Sequence, residues 1–167
     1  MEREYSVTAD RYVKSVTIGV IALLASFFVL IPLYIYVKKG NFSDIYYVIA
    51  LMLALYIPII LGAWAYSPQK YIVSDKEIII KRPLKSIEIP VERISRIEKS
   101  DLNAMRALRL FGNGGLFSIT GRFWSKELGT MYFYAKNRNY VLIHADKLYV
   151  LSPDKRDEFI EHLRGLM

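Results

Sequence analysis

Few residues in this chain could do covalent or metal chemistry. Its 167 residues include no cysteine and two histidines, His144 and His162. Thiol nucleophiles, iron–sulfur clusters and thiolate zinc sites are therefore excluded. A histidine-based metal site would need carboxylates to complete it. Carboxylates gather at Glu98–Asp101 and Asp154–Glu158, with no nucleophile or histidine beside them in sequence. His144 sits between Ile143 and Ala145, the setting of a packed or surface histidine rather than a ligand. Gly112-Asn113-Gly114-Gly115 has the composition of a phosphate-cradling loop. No Lys-Ser or Lys-Thr follows it, however, and Phe117 stands where a dinucleotide loop needs its third glycine. It reads as a tight turn without regular structure. No catalytic residue, metal or cofactor is expected.

Basic residues are the other chemical resource. Lys and Arg number 23 against 16 Asp and Glu, a net charge of +7. They concentrate at Lys81, Arg82 and Lys85, at Arg106 and Arg109, and at Lys136 and Arg138. Acidic residues are interspersed and no nucleic-acid-reading motif is present, so a nucleic-acid partner is not expected. Against anionic lipid headgroups, each cation near the surface contributes about 1 kcal/mol. Lys81, Arg82 and Lys85 are the candidate lipid-binding residues, a solvated surface being the alternative use of the same charges.

The elements that must position these cations fall into two unlike parts. No charged residue occurs from Ser15 to Val37 or from Ile45 to Tyr66. At about 1.5 Å per residue each run spans roughly 33 Å, enough to cross a bilayer's hydrocarbon core. Residues 1–14 form an N-terminal tail, 15–37 and 45–66 a two-helix transmembrane hairpin with its loop at 38–44, and 67–167 a separate domain. Tyr12, Tyr34, Tyr36, Tyr46, Tyr47, Trp64 and Tyr66 lie near the ends of the two runs, as interfacial aromatics do. Small residues at Ser15, Gly19, Ala22 and Ser26, and at Ala50, Ala54 and Gly62, let the helices pack on each other; a homo-oligomer is the other use of such stripes. Arg3, Arg11 and Lys14 precede the hairpin, Lys38 and Lys39 lie in its loop, and five basic residues follow within the next twenty. That distribution predicts a multi-pass protein of the cell membrane with both termini cytoplasmic.

From Ser67 onward, short β-branched and aromatic runs alternate with turn residues. Tyr71–Val73 and Glu77–Lys81 flank the turn Ser74-Asp75-Lys76, and Ser86–Ile89 is a third strand. Leu102–Arg109 reads as weakly helical. Leu116–Trp124, Met131–Lys136, Tyr140–Ala145 and Leu148–Leu151 continue the strands. About seven strands at this spacing predict a small barrel or sandwich. Ser152-Pro153-Asp154 carries helix-start signals, with Ser152 as N-cap. Phe159, Ile160, Leu163 and Leu166 then form one apolar stripe, so a helix over about 153–166 is expected to plug the barrel.

This order resembles the membrane-anchored prokaryotic pleckstrin-homology-like (PH-like) domain proteins. The resemblance runs from about Tyr71 to Leu166. It rests on Tyr71-Ile72-Val73-Ser74-Asp75 with Glu77-Ile78-Ile79-Ile80, on Ile89-Pro90-Val91-Glu92-Arg93-Ile94, and on the glycine-bearing stretch 109–129. Its most specific part is Tyr149-Val150-Leu151-Ser152-Pro153-Asp154 before Phe159-Ile160. It implies a mainly-β PH-like fold capped by a C-terminal helix, and a binding or scaffolding role without catalysis. Eukaryotic relatives of the fold can hold phosphoinositides in a basic first hairpin; here that turn, Ser74-Asp75-Lys76-Glu77, is mixed in charge. The expected function is a membrane-anchored interaction module for a protein partner or anionic headgroups. An accessory subunit of a larger membrane complex is the alternative, and an enzyme the more distant one.

Overall fold

The computed structural model describes residues 2–39, 42–100 and 107–167. Two long helices come first, α1 (Arg11–Lys39) and α2 (Phe42–Ala65), preceded by a short strand β1 (Arg3–Ser6). Both helices are long and apolar enough to cross a membrane. A core helix of a soluble protein of this length would be mostly buried; here 0% and 6% of the most apolar windows are. Residues 40–41 of the connecting loop lie outside the described residues.

The remainder is mostly β. Strands β2 (Lys70–Val73), β3 (Glu77–Lys81) and β4 (Ile87–Pro90) form an antiparallel meander, and β1 pairs with β2 to make a four-stranded sheet. A single 3₁₀ turn, Val91–Arg93, leads to the second sheet. Its strands are β5 (Arg96–Ser100), β6 (Leu108–Gly114), β7 (Ile119–Ser125), β8 (Gly129–Ala135), β9 (Tyr140–His144) and β10 (Leu148–Leu151), in the order β5-β9-β10-β8-β7-β6. Only the β10–β8 pair is parallel among these. The last element is helix α3 (Arg156–Leu166).

Period-two alternation divides the six-stranded sheet into two faces. Val141, Ile143, Tyr149 and Leu151 point toward Tyr71, Ile78, Ile80 and Ile89 of the other sheet, and α3 adds Phe159, Ile160 and Leu163 to this cluster. The opposite face carries Ile119, Phe123, Met131, Phe133, Tyr140, Leu142 and Val150, closed by Val13 from the first turn of α1. A residue of the first long helix is thus 1% exposed inside the β domain's own core.

Three sequence expectations change. Residues 1–14 are not a bare tail: β1 is a strand, Tyr5 packs on Phe159 with ring centroids 5.0 Å apart, and α1 already begins at Arg11. Polar Arg3–Ser6 carries no strand signal of its own and is ordered by pairing with β2. The second concerns the glycine stretch, which is part of β6 up to Gly114; of the helix expected at Leu102–Arg109, residues 101–106 lie outside the described residues and Leu108 and Arg109 are strand. The third concerns Ser152, which does not cap a helix. Its hydroxyl accepts hydrogen bonds from the Lys136 and Asn137 amides, and its own N–H donates to the Tyr71 hydroxyl. Asp154 instead accepts from the Thr8 N–H and hydroxyl, and α3 starts only at Arg156. The Ser-Pro-Asp motif therefore ties the N-terminal segment to the domain.

Four tyrosines make the domain sensitive to alkali. Burial raises the Tyr71, Tyr134, Tyr140 and Tyr149 phenols above their ordinary value, Tyr149 to about 12. A phenol whose folded-state pKa is raised contributes stability that is full below about 10 and is lost as pH climbs beyond it. The domain is expected to hold its melting temperature up to pH of about 9 and lose it progressively above 10. A spectroscopic titration should show these four of the 13 tyrosines ionising late, as the fold is lost. Titration of all tyrosines together near 10, with the fold intact, would refute this.

Candidate anion-binding cleft

The sheet face that packs on the first core cluster runs on, beyond β10, into a cleft. On β7 and β8 this face presents Thr120, Arg122, Tyr132 and Tyr134, the residues alternating with buried Ile119, Phe123, Met131 and Phe133. Arg109, Phe111 and Asn113 come from β6. The opposite wall is the last part of α2, with Ile59, Gly62 and Ala63, followed by Tyr66 and by Arg82 from the β3–β4 turn. The cleft is open to one side and has a volume of about 810 Å³.

Paired glycines allow β6 and β7 to approach here. Gly112 and Gly121 are opposite each other with φ of 111° and 136°. A Cβ on Gly112 would collide with the Thr120 carbonyl, and one on Gly121 with the Phe111 carbonyl. Only glycine tolerates both the backbone angle and the contact. The register slips between Arg109 and Phe111, a bulge that re-aims side chains at the strand edge. At the end of the hairpin, Asn113 accepts from the Gly115 and Leu116 amides and donates to the Leu116 carbonyl.

The hairpin is bolted to the root of α1. The Thr17 hydroxyl shares its proton between the Val13 carbonyl at 2.7 Å and the Gly115 carbonyl at 3.2 Å and accepts from the Phe117 amide at 2.8 Å, and the Tyr12 hydroxyl donates to the Gly114 carbonyl. Asp10 caps α1 by accepting from the Val13 amide and pairs with Arg138 at 3.1 Å. The β3–β4 turn is fixed to α2, because the Leu84 amide donates to the carbonyl of Ala65. The cleft consequently has a set position relative to both helices.

Arg82 is the best-ordered cation in it. Its guanidinium lies 5.5 Å from the ring centroids of both Tyr66 and Tyr134, and its Nε donates to the Lys85 carbonyl. Burial pulls its pKa below the usual arginine value while the two tyrosines push back; it stays charged. Arg109 and Arg122 are exposed on the other wall. No carboxylate lines the cleft, and among the described residues none of the three arginines is paired with one. Three planar guanidiniums facing one space suit a phosphate or phosphodiester, which each can grip in a bidentate manner.

Of the three cations expected from sequence, Arg82 lines the cleft, whereas Lys81 and Lys85 are exposed outside its lining. Arg109 was legible as a basic residue, but Arg122 stands alone in an apolar strand and gave no cluster signal. The glycine pair that brings them together was its only trace. His144 does come near a carboxylate: its Nε2 lies 3.4 Å from Glu98 across the β5–β9 pair. Arg96 already holds the same carboxylate oxygen at 2.5 Å, and the half-exposed His144 keeps its Nε2 buried without a hydrogen-bond partner. Among the described residues no group of three or more His, Asp or Glu could hold a metal ion.

The profile of the bacterial PH domain family matches residues 69–167. Comparison with curated proteins and with solved structures gives no match.

Proposed function

The chain belongs to the bacterial PH domain family, and from that premise we propose that it is a membrane-anchored module that engages anionic lipid headgroups at the cytoplasmic face. The cleft carries this reading. Three arginines without carboxylate partners among the described residues share a space with the end of an apolar helix long enough to span a bilayer. A headgroup phosphate would meet Arg82, Arg109 and Arg122, while Ile59 and Ala63 offer an apolar wall to the start of an acyl chain. Lys81 and Lys85 add attraction at longer range. Both helix roots are fixed to the domain, so little conformational freedom is lost on binding.

Adding phosphatidylglycerol to the full chain in neutral detergent is expected to raise its melting temperature, with phosphatidylcholine giving little. At a lipid concentration one hundred times Kd the stabilisation is about 2.7 kcal/mol. It should shrink between about 50 and 300 mM salt as screening shortens. Replacing Arg82, Arg109 and Arg122 by Gln should remove the shift while lowering the starting stability only by what the Arg82 ring contacts and its bond to Lys85 contribute, about 1 kcal/mol. Equal shifts with both lipids would move the binding role to a protein partner.

The charge distribution supports a cytoplasmic orientation, and β1, by joining the N-terminal segment to the domain, supports a common side for both. In intact cells a cysteine placed at Asn41 should react with an impermeant thiol reagent and one at exposed Lys126 should not. The reverse pattern would overturn the cytoplasmic assignment.

A further inference from the structure

The outer edge of the six-stranded sheet is unusually apolar. Leu108, Leu110 and Phe111 on β6 are 64%, 53% and 73% exposed, and Trp124, opposite Leu108 on β7, is 43% exposed. Among the described residues no strand pairs with the outer edge of β6. Edge strands of water-soluble sheets are normally short, charged or covered, since a long apolar edge invites association. Here consecutive residues on both faces of the strand are exposed and apolar, with Arg109 the one charge among them.

The position of this edge identifies what it meets. Phe111 and Arg109 line the cleft across from Ile59 and Gly62 of α2. Ile59 lies six residues before the end of α2 at Ala65, or about 9 Å along the helix axis. It belongs to the uncharged run that ends at Tyr66. A strand that reaches the level of Ile59 is therefore at or below the headgroup layer of any bilayer that α2 crosses. Leu84 extends the same rim, since it is 65% exposed and its amide is bonded to Ala65 at the helix end.

We infer that the β6 edge, with Leu108, Leu110 and Phe111, is a membrane-inserting blade whose partner is the upper acyl region of the bilayer. Trp124 sits beside it as an interfacial aromatic, and Arg109 reaches back from the strand into the cleft. The inference rests on α2 being a membrane span and not on headgroup binding. Only the apolar side chains reach the acyl region, where lipid covers them; the strand's backbone edge stays in the hydrated headgroup layer, where water serves its N–H and C=O groups.

The absence of cysteine makes the test direct. Spin labels are attached to L110C, F111C and, as a reference in the exposed 3₁₀ turn after β4, E92C, each in the full chain reconstituted in pure phosphatidylcholine vesicles. Labels at 110 and 111 should collide more with oxygen, which partitions into lipid, than with a water-soluble nickel chelate. The label at 92 should show the opposite ratio. Aqueous behaviour at 110 and 111 would overturn the inference, and so would shielding from both reagents, which would mean a second copy or another protein covers the edge. Neutral lipid separates this outcome from headgroup recognition, because the blade should insert without any anionic lipid present.

Discussion

Replacing Phe159 by Ala is expected to lower the unfolding free energy of the β domain by about 3–5 kcal/mol, the range for removing a buried aromatic ring. Phe159 is fully buried in the first turn of α3, with Ile160 and Leu163 beside it. Its ring meets Tyr5 edge-on at 5.0 Å and lies 6.1 Å from Tyr71, so it touches the N-terminal strand and the first strand of the meander together. The cavity would open where β1, β2 and α3 converge, and β1 has few other apolar anchors. Unfolding of the full chain in neutral detergent, followed by near-ultraviolet dichroism, should register the loss. Exposed Glu161→Ala on the same helix should stay within about 0.5 kcal/mol of the parent. An unchanged midpoint for the Phe159 variant would mean that α3 does not seal the domain.

The second large effect is expected at Gly121. An alanine there would have to adopt a φ of 136° and place its Cβ against the Phe111 carbonyl. Strain at such an angle costs about 1–3 kcal/mol by itself, and the backbone collision adds to it. The affordable relaxation is to splay β6 away from β7, which separates Arg109 from Arg122. Gly121→Ala should therefore lose at least about 2 kcal/mol of stability and, where it still folds, lose the lipid-dependent melting shift as well. Gly165→Ala, in α3 with open space around its Cβ position, is the control and should be neutral or stabilising. A Gly121 variant that melts normally and still responds to anionic lipid would contradict the close approach of the two strands.

Much of this architecture was legible because it depends on local pattern. The uncharged runs ending at Val37 and Tyr66 announce the helices by length alone. The β2–β3 hairpin shows in Tyr71–Val73 and Glu77–Lys81 with their turn between, and the stripe Phe159–Ile160–Leu163 shows the buried face of α3. What escaped depends on partners distant in sequence. Arg3–Ser6 is too short and polar to declare itself a strand without β2. Ser152 looks like a helix cap until Lys136, Asn137 and Tyr71 are seen around it. The stretch Gly112–Gly115 looks like a structureless turn because glycine weakens strands in general, whereas here its lack of a side chain is what the β6–β7 contact requires. The cleft was half legible. Arg82 belonged to a visible basic turn, but Arg122 faces it only through the β7–β8 register, and Arg109, paired with core residue Phe123, joins the lining only where the β6 bulge breaks the register.

Native mass spectrometry addresses the headgroup site most directly. The full chain is released from nanodiscs containing equal amounts of phosphatidylglycerol and phosphatidylcholine, and the lipid that stays bound is identified. The parent chain should retain phosphatidylglycerol in clear preference. The Lys81→Gln, Lys85→Gln double variant should keep most of that preference, and replacement of Arg82, Arg109 and Arg122 by Gln should abolish it. Retention of both lipids in equal proportion by the parent, or an unchanged preference after the three arginines are gone, would contradict a headgroup site in this cleft.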